Sequence, residues 1–172
     1  MKFLKNGEMM NKTKRNMIII IIALLLLASI VIFLNFQKET EEFEEFSVEV
    51  PLGTSFGKVI ENDTLIKEMY RCYGEDLTIT SFDKAYVEDT YYNNTGEKID
   101  FAKSMMENMS KNDNNKMNEI SANLTQIIEK SNINGHEDTD VACIYHDDDH
   151  VIIVEGGDED FITEIAESIR IL

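Results

Sequence analysis

A chain of 172 residues with 43% hydrophobic and 28% charged residues has the make-up of one globular domain plus a short extra segment. One Pro among eight Gly excludes a collagen-like or Pro-rich chain. Charge is unevenly placed: Lys2, Lys5, Lys12, Lys14 and Arg15 stand against Glu8 before residue 17, whereas 11 basic and 32 acidic residues follow from Gln37, a net −21. Such a surface repels phosphate backbones and anionic headgroups, which excludes a nucleic-acid partner.

The run from Met17 to Asn35 carries no charge. About 18 apolar residues would rise roughly 27 Å as a helix, close to the hydrocarbon thickness of a bilayer. The sequence therefore predicts a transmembrane helix over residues 17–36. Ala28-Ser29-Ile30 runs on into further apolar residues where a cleavage site would need small ones, so the expected device is an uncleaved signal-anchor. Residues 1–16 form a basic tail that the positive-inside rule keeps cytoplasmic. The implied topology is a single-pass protein of the cell membrane with its C-terminal part extracytoplasmic, and the membrane is one expected partner.

Residues 37–45 read as an acidic spacer, and residues 46–172 as one extracytoplasmic domain. Phe46, Val48 and Val50 alternate with Ser47 and Glu49, a half-buried strand stopped by Pro51 and Gly53. Glu68–Tyr73 and Leu77–Phe82 bracket Gly74-Glu75-Asp76 and predict a hairpin. Residues 83–98 show no clear period and hold the turn-forming cluster Asn93-Asn94-Thr95-Gly96, so a loop is expected. Phe101, Met105 and Met109 recur at four-residue spacing behind Asp100, which suits a helix cap. Met117, Ile120, Leu124, Ile127 and Ile128 make a second stripe, read as a second helix closed by Asn134-Gly135.

A second hairpin follows, Val141–His146 and Val151–Glu155, whose apolar runs suit central strands. The last helix shows Phe161, Ile162, Ile165, Ala166, Ile169 and Leu172 on one broad face, with Asp158, Glu159 and Asp160 at its start read as helix caps. This order predicts an α+β domain: an antiparallel sheet of about five strands with about three helices, behind the N-terminal transmembrane helix.

Two segments carry a family resemblance: the strand end Val48-Glu49-Val50-Pro51-Leu52-Gly53, and the run from Ile144-Tyr145 through Val154-Glu155 into an apolar helix. Both resemble segments of small single-pass envelope proteins of methanogenic archaea. The resemblance implies an oxygen-poor archaeal setting and brings no activity and no residue role.

The chain contains no G-x-S-x-G elbow, no phosphate-cradling G-x-x-x-x-G-K-[ST] loop and no H-E-x-x-H metal helix. Cys143 and His146, three apart on a strand, point to opposite faces and make no nucleophile–base pair. The sharpest local constellation is His146-Asp147-Asp148-Asp149-His150. A tight turn there would set His146 and His150 across from each other, with Asp148 between them, around one Zn²⁺ or a similar ion. Cys72 and Cys143 fall on different hairpins and would bridge if those strands were neighbours. Asn62, Asn93, Asn108 and Asn123 stand in Asn-x-Ser/Thr context for glycosylation. No cofactor is implied. The function expected is a non-catalytic interaction module at the cell envelope with a protein partner there. The alternative is a divalent-cation-binding surface domain, and the third option is an enzyme with an unfamiliar site.

Overall fold

A computed structural model describes residues 12–35, 37–60, 64–112, 114–133 and 136–172. Two compact units result, Met1–Lys38 and Glu39–Leu172. In the first, one helix, α1, spans Lys12–Asn35. Residues 1–11 of the basic tail lie outside the described residues.

Among the described residues, no helix is long and apolar enough to cross a membrane. The transmembrane helix expected over residues 17–36 is corrected on that finding. With it go the signal-anchor, the single-pass topology, the cell-membrane and extracytoplasmic placement, and the membrane as a partner.

The second unit is built on two antiparallel sheets. The smaller one has the order β1-β2-β10, from Lys38–Glu42, Phe46–Pro51 and Arg170–Ile171. The larger has seven strands in the order β3-β4-β5-β9-β8-β7-β6: Phe56–Ile60, Ile66–Cys72, Leu77–Phe82, Val151–Gly156, His136–His146, Leu124–Ile133 and Asn115–Ser121. Three helices, α2 (Lys84–Thr95), α3 (Phe101–Ser110) and α4 (Glu159–Glu167), complete it.

Strand alternation and register sort the side chains of the large sheet into two faces. Ile79, Val154 and Cys143 are aligned across β5, β9 and β8. They share a core with Ile162, Ile165 and Ala166 of α4 and with Phe46, Val48 and Val50 of β2. Ile153, Ala142, Ile144 and Ile127 face the other way and pack with Ala102, Met105 and Met109 of α3. A strand covered on both faces needs apolar residues at both parities, which is why Ile152, Ile153 and Val154 follow one another in β9. Each fully buried Ile or Val contributes roughly 1.5–3 kcal/mol, and α4 is held chiefly this way.

Local chemistry sets the helix ends. Asp158 Oδ1 accepts the Phe161 amide at 3.0 Å, and Asp100 Oδ1 accepts that of Lys103 at 3.1 Å. Both are the caps expected, each worth about 1 kcal/mol.

The fold departs from the expected five strands and three helices. Among the described residues there are ten strands and four helices, in two sheets. Residues 83–98 are not a loop: Asp83 caps α2 through the Tyr86 amide at 2.9 Å, and Gly96, at φ 74°, closes it. No side chain of α2 is buried, so it leaves no apolar stripe to read. The stripe from Met117 to Ile128 is not a helix but β6 and β7, paired Met117 with Ile127 and Asn118 with Gln126. Leu124 and Ile128 pack toward α4 while Ile127 packs toward α3, and this two-sided burial imitates a helical period. The acidic spacer contains β1, and β3 was not anticipated. Asn134-Gly135, expected to end a helix, lie outside the described residues.

Candidate functional site

Register brings carboxylates from distant parts of the chain onto the α3 face. Thr78, Glu155, Ala142 and Ile127 form one row across β5, β9, β8 and β7. Asp140, Glu129 and Asn115 form the next, across β8, β7 and β6. With Asp76 and Met109 they enclose a cleft of about 310 Å³ whose lining, among the described residues, holds four carboxylates and no Lys or Arg. Burial, and secondarily the charge of Asp140, push the Glu155 carboxyl above its ordinary value. The Asn112 amide donates to Glu129 at 3.1 Å. Asn115 spends its amide N–H on the Met109 carbonyl at 2.7 Å, and among the described residues its own buried Oδ1 has no donor. The floor is apolar, from Ile127 and Ala142. Chemically, the cleft can accommodate positive charge.

Strand β6 closes one end of the large sheet, and a hollow lies on each of its faces. On the α3 face, Met106 and Met117 line a groove of about 430 Å³ that also touches Glu107, Glu119, Lys103 and His146. On the α4 face, Ile120, Leu124, Tyr145 and Ile169 line one of about 470 Å³ with Glu167 and Arg170 at its side.

The residues singled out as a metal site have other employment. Asp147 accepts the amides of Asp149 at 2.9 Å and His150 at 2.7 Å, and its carboxylate meets the His150 ring Nδ1 at 2.9 Å. Burial alone would raise Asp147, but these amides and the ring outweigh it and hold the carboxyl below its ordinary value. Lys84 Nζ donates to the carbonyls of Asp147 and Asp148 at 2.7 and 2.8 Å, tying α2 to this turn. His146 pairs with Val151, not with His150, and lines the groove under α3. Among the described residues, no three His, Cys, Asp or Glu side chains are grouped to hold a metal ion. His146, His150 and Asp148 are therefore not brought together.

Cys72 and Cys143 are free and buried. Strands β5 and β9 lie between β4 and β8, so three interstrand steps, roughly 14 Å, separate them where a disulfide spans about 6 Å between Cα atoms. The bridge is corrected on that ground. Asn93, Asn108 and Asn123 are exposed, on α2, on α3 and in the β6–β7 turn, while Asn62 lies outside the described residues.

One buried acid stands apart from the clefts. Glu68 on β4 is 1% exposed; its Oε1 lies 3.5 Å from Lys58 Nζ, and among the described residues its Oε2 has no donor. Lys58 also bonds Glu44 at 3.2 Å and lies 5.9 Å above the Tyr70 ring, so it would keep partners without Glu68. A buried, half-satisfied carboxylate costs more than an apolar side chain of similar size. Glu68→Leu is expected to stabilise the protein by about 1 kcal/mol, read as a raised urea midpoint. A lowered midpoint would mean that the Lys58 contact outweighs the orphaned oxygen.

No protein-family model matches this chain, and no curated protein matches it. Roles for its residues rest on the geometry alone.

Proposed function

We propose that Glu39–Leu172 acts as a non-catalytic interaction module that receives a basic partner. The observation that carries this reading is the cleft of Asp76, Glu129, Asp140 and Glu155, four carboxylates with no cation among the described lining residues. Charges of one sign converging on a concave wall with an apolar floor focus the field on whatever enters. A Lys or Arg side chain would lower the repulsion between Glu155 and Asp140 and offer donors to the empty acceptor of Asn115. The net −21 from Gln37 onward would speed the approach of such a partner.

Reaction chemistry has less support. Cys143 is fully buried, and burial pushes its thiol up to about 11, the opposite of an activated nucleophile. The cation-binding alternative loses its carriers, because His150 is bonded to Asp147 and His146 faces a different groove.

The test uses the full chain in dilute detergent, with fluorescent hexalysine and hexaglutamate as probes. Hexalysine is expected to bind, with affinity falling as salt rises. The Asp140→Asn/Glu155→Gln double variant should weaken it about tenfold, or 1.4 kcal/mol. Asp89→Asn/Glu97→Gln removes the same charge from exposed positions on and beside α2, and should matter little. Equal losses in the two double variants would mean that only the overall field attracts the peptide, and the cleft reading would fall.

A further inference from the structure

Strand β6 presents its outer edge at the end of the seven-strand order, with Met117 54% and Ile120 37% exposed. Natural sheets guard such edges with charge and bulges, and β6 has both, in Lys116 and in the irregularity between Glu119 and Ser121. Those guards do not account for the hollow on each face of the strand. An added strand would send alternate side chains to opposite faces, one set toward Met106 and Met117, the other toward Ile120, Leu124 and Tyr145.

Charge decides which set goes where. The α3-side groove carries Glu107 and Glu119 against Lys103, and it shares Asn115's face with the four-carboxylate cleft. On the other face, Lys116 and Arg170 outnumber Glu167, so the balance there is positive and apolar contact is the favourable choice. Lysine suits the α3 side doubly, because its methylenes can lie along the methionines while the ammonium seeks carboxylates. A second copy of this chain fits poorly, since it would set one −21 unit against another.

We propose that β6 accepts an extended segment of a basic partner as an added strand, with Lys or Arg on the α3 face alternating with apolar residues on the α4 face. This rests on the basic-partner reading and adds the mode of binding. Main-chain hydrogen bonds to the β6 edge supply affinity, and the two hollows supply the pattern read.

The probe is Ac-Lys-Val-Lys-Val-Lys-Val-NH2, labelled and titrated with the full chain, against Ac-Lys-Lys-Lys-Val-Val-Val-NH2 of identical composition. The alternating peptide is expected to bind about tenfold more tightly. Alternate amides of an added strand point toward and away from the edge, so methylating the Val amides or the Lys amides should give opposite results. One should abolish binding and the other leave it within about threefold. Ile120→Asp should weaken the alternating peptide and leave hexalysine unaffected. Should the block peptide and both methylated forms bind as well as the alternating one, the added strand is wrong while the basic-partner reading stands. If no lysine peptide binds, both fall. A dimer abolished by Ile120→Asp, with no peptide bound, would assign the edge to a second copy and overturn the proposal.

Discussion

Gly156→Ala is expected to cost about 3 kcal/mol, the upper end for forcing extra volume into a packed site. Gly156 ends β9 opposite Leu77 on one side and Val141 on the other. A Cβ there would overlap the Asp76 carbonyl oxygen and come within 2.7 Å of Ile162 Cδ1. The isoleucine can rotate, but the carbonyl belongs to the backbone ahead of β5 and moves only with that strand. Ile162 is also fully buried at the centre of the α4 face, so even its rotation disturbs the core. Gly157→Ala is the control: its Cβ would meet Asp76 Oδ2 at 3.3 Å and the Thr139 carbonyl at 3.6 Å, which small side-chain adjustments can relieve. Urea denaturation of the full-length variants should show a large loss for the first and under 1 kcal/mol for the second. Equal midpoints would mean that the β5–β9 junction yields more than its packing indicates. The same contact ties stability to the candidate site, because Asp76 and Gly156 both line the acidic cleft.

What the sequence disclosed follows from where each signal is encoded. Asp158 and the stripe Phe161, Ile162, Ile165, Ile169 sit within one local segment, so the cap, the helix and its buried face could all be read. The Val141–His146 and Val151–Glu155 runs likewise declared themselves as strands covered on both faces. Two-sided burial then misled at β7, where Leu124, Ile127 and Ile128 are apolar at both parities and mimic a 3.6-residue period. Helix α2 stayed hidden for the opposite reason, having no buried side chain to impose any period. The acidic cleft was illegible because Asp76, Glu129, Asp140 and Glu155 come from four places along the chain and meet only through strand order. Among 33 acidic residues, no local spacing marks those four. By contrast the His146–His150 segment looked distinctive because its residues are contiguous, and contiguity there makes a turn organised by Asp147.

An alkaline loss of stability should begin near pH 9 and be traceable to Cys143. This thiol lies on β8 beneath α4, fully buried, with its sulfur 3.9 Å from the Thr163 hydroxyl. Burial pushes it from 9.0 up to about 11, the Thr163 hydroxyl opposes the rise, and the charges of Glu167 and Glu159 reinforce it. A raised value means that the folded state holds the proton more tightly than the unfolded chain does. The stability this contributes is therefore complete below about pH 9 and is lost as pH rises through about 11. Two units correspond to about 3 kcal/mol at most, a large share of the 5–15 kcal/mol typical of a domain. Tyr70, pushed by burial from 10.0 up to about 12, adds a later decline. Cys143→Val separates the two, since valine fills similar space without a proton to lose. Thr163 would remain satisfied by donating to the Glu159 carbonyl and accepting from Gln126, both at 2.7 Å. Urea midpoints measured from pH 7.5 to 11 should fall steeply for the native chain, while those of Cys143→Val hold until about pH 10. If the two curves coincide from pH 9 to 11, the buried thiol is not the group that limits the fold in alkali.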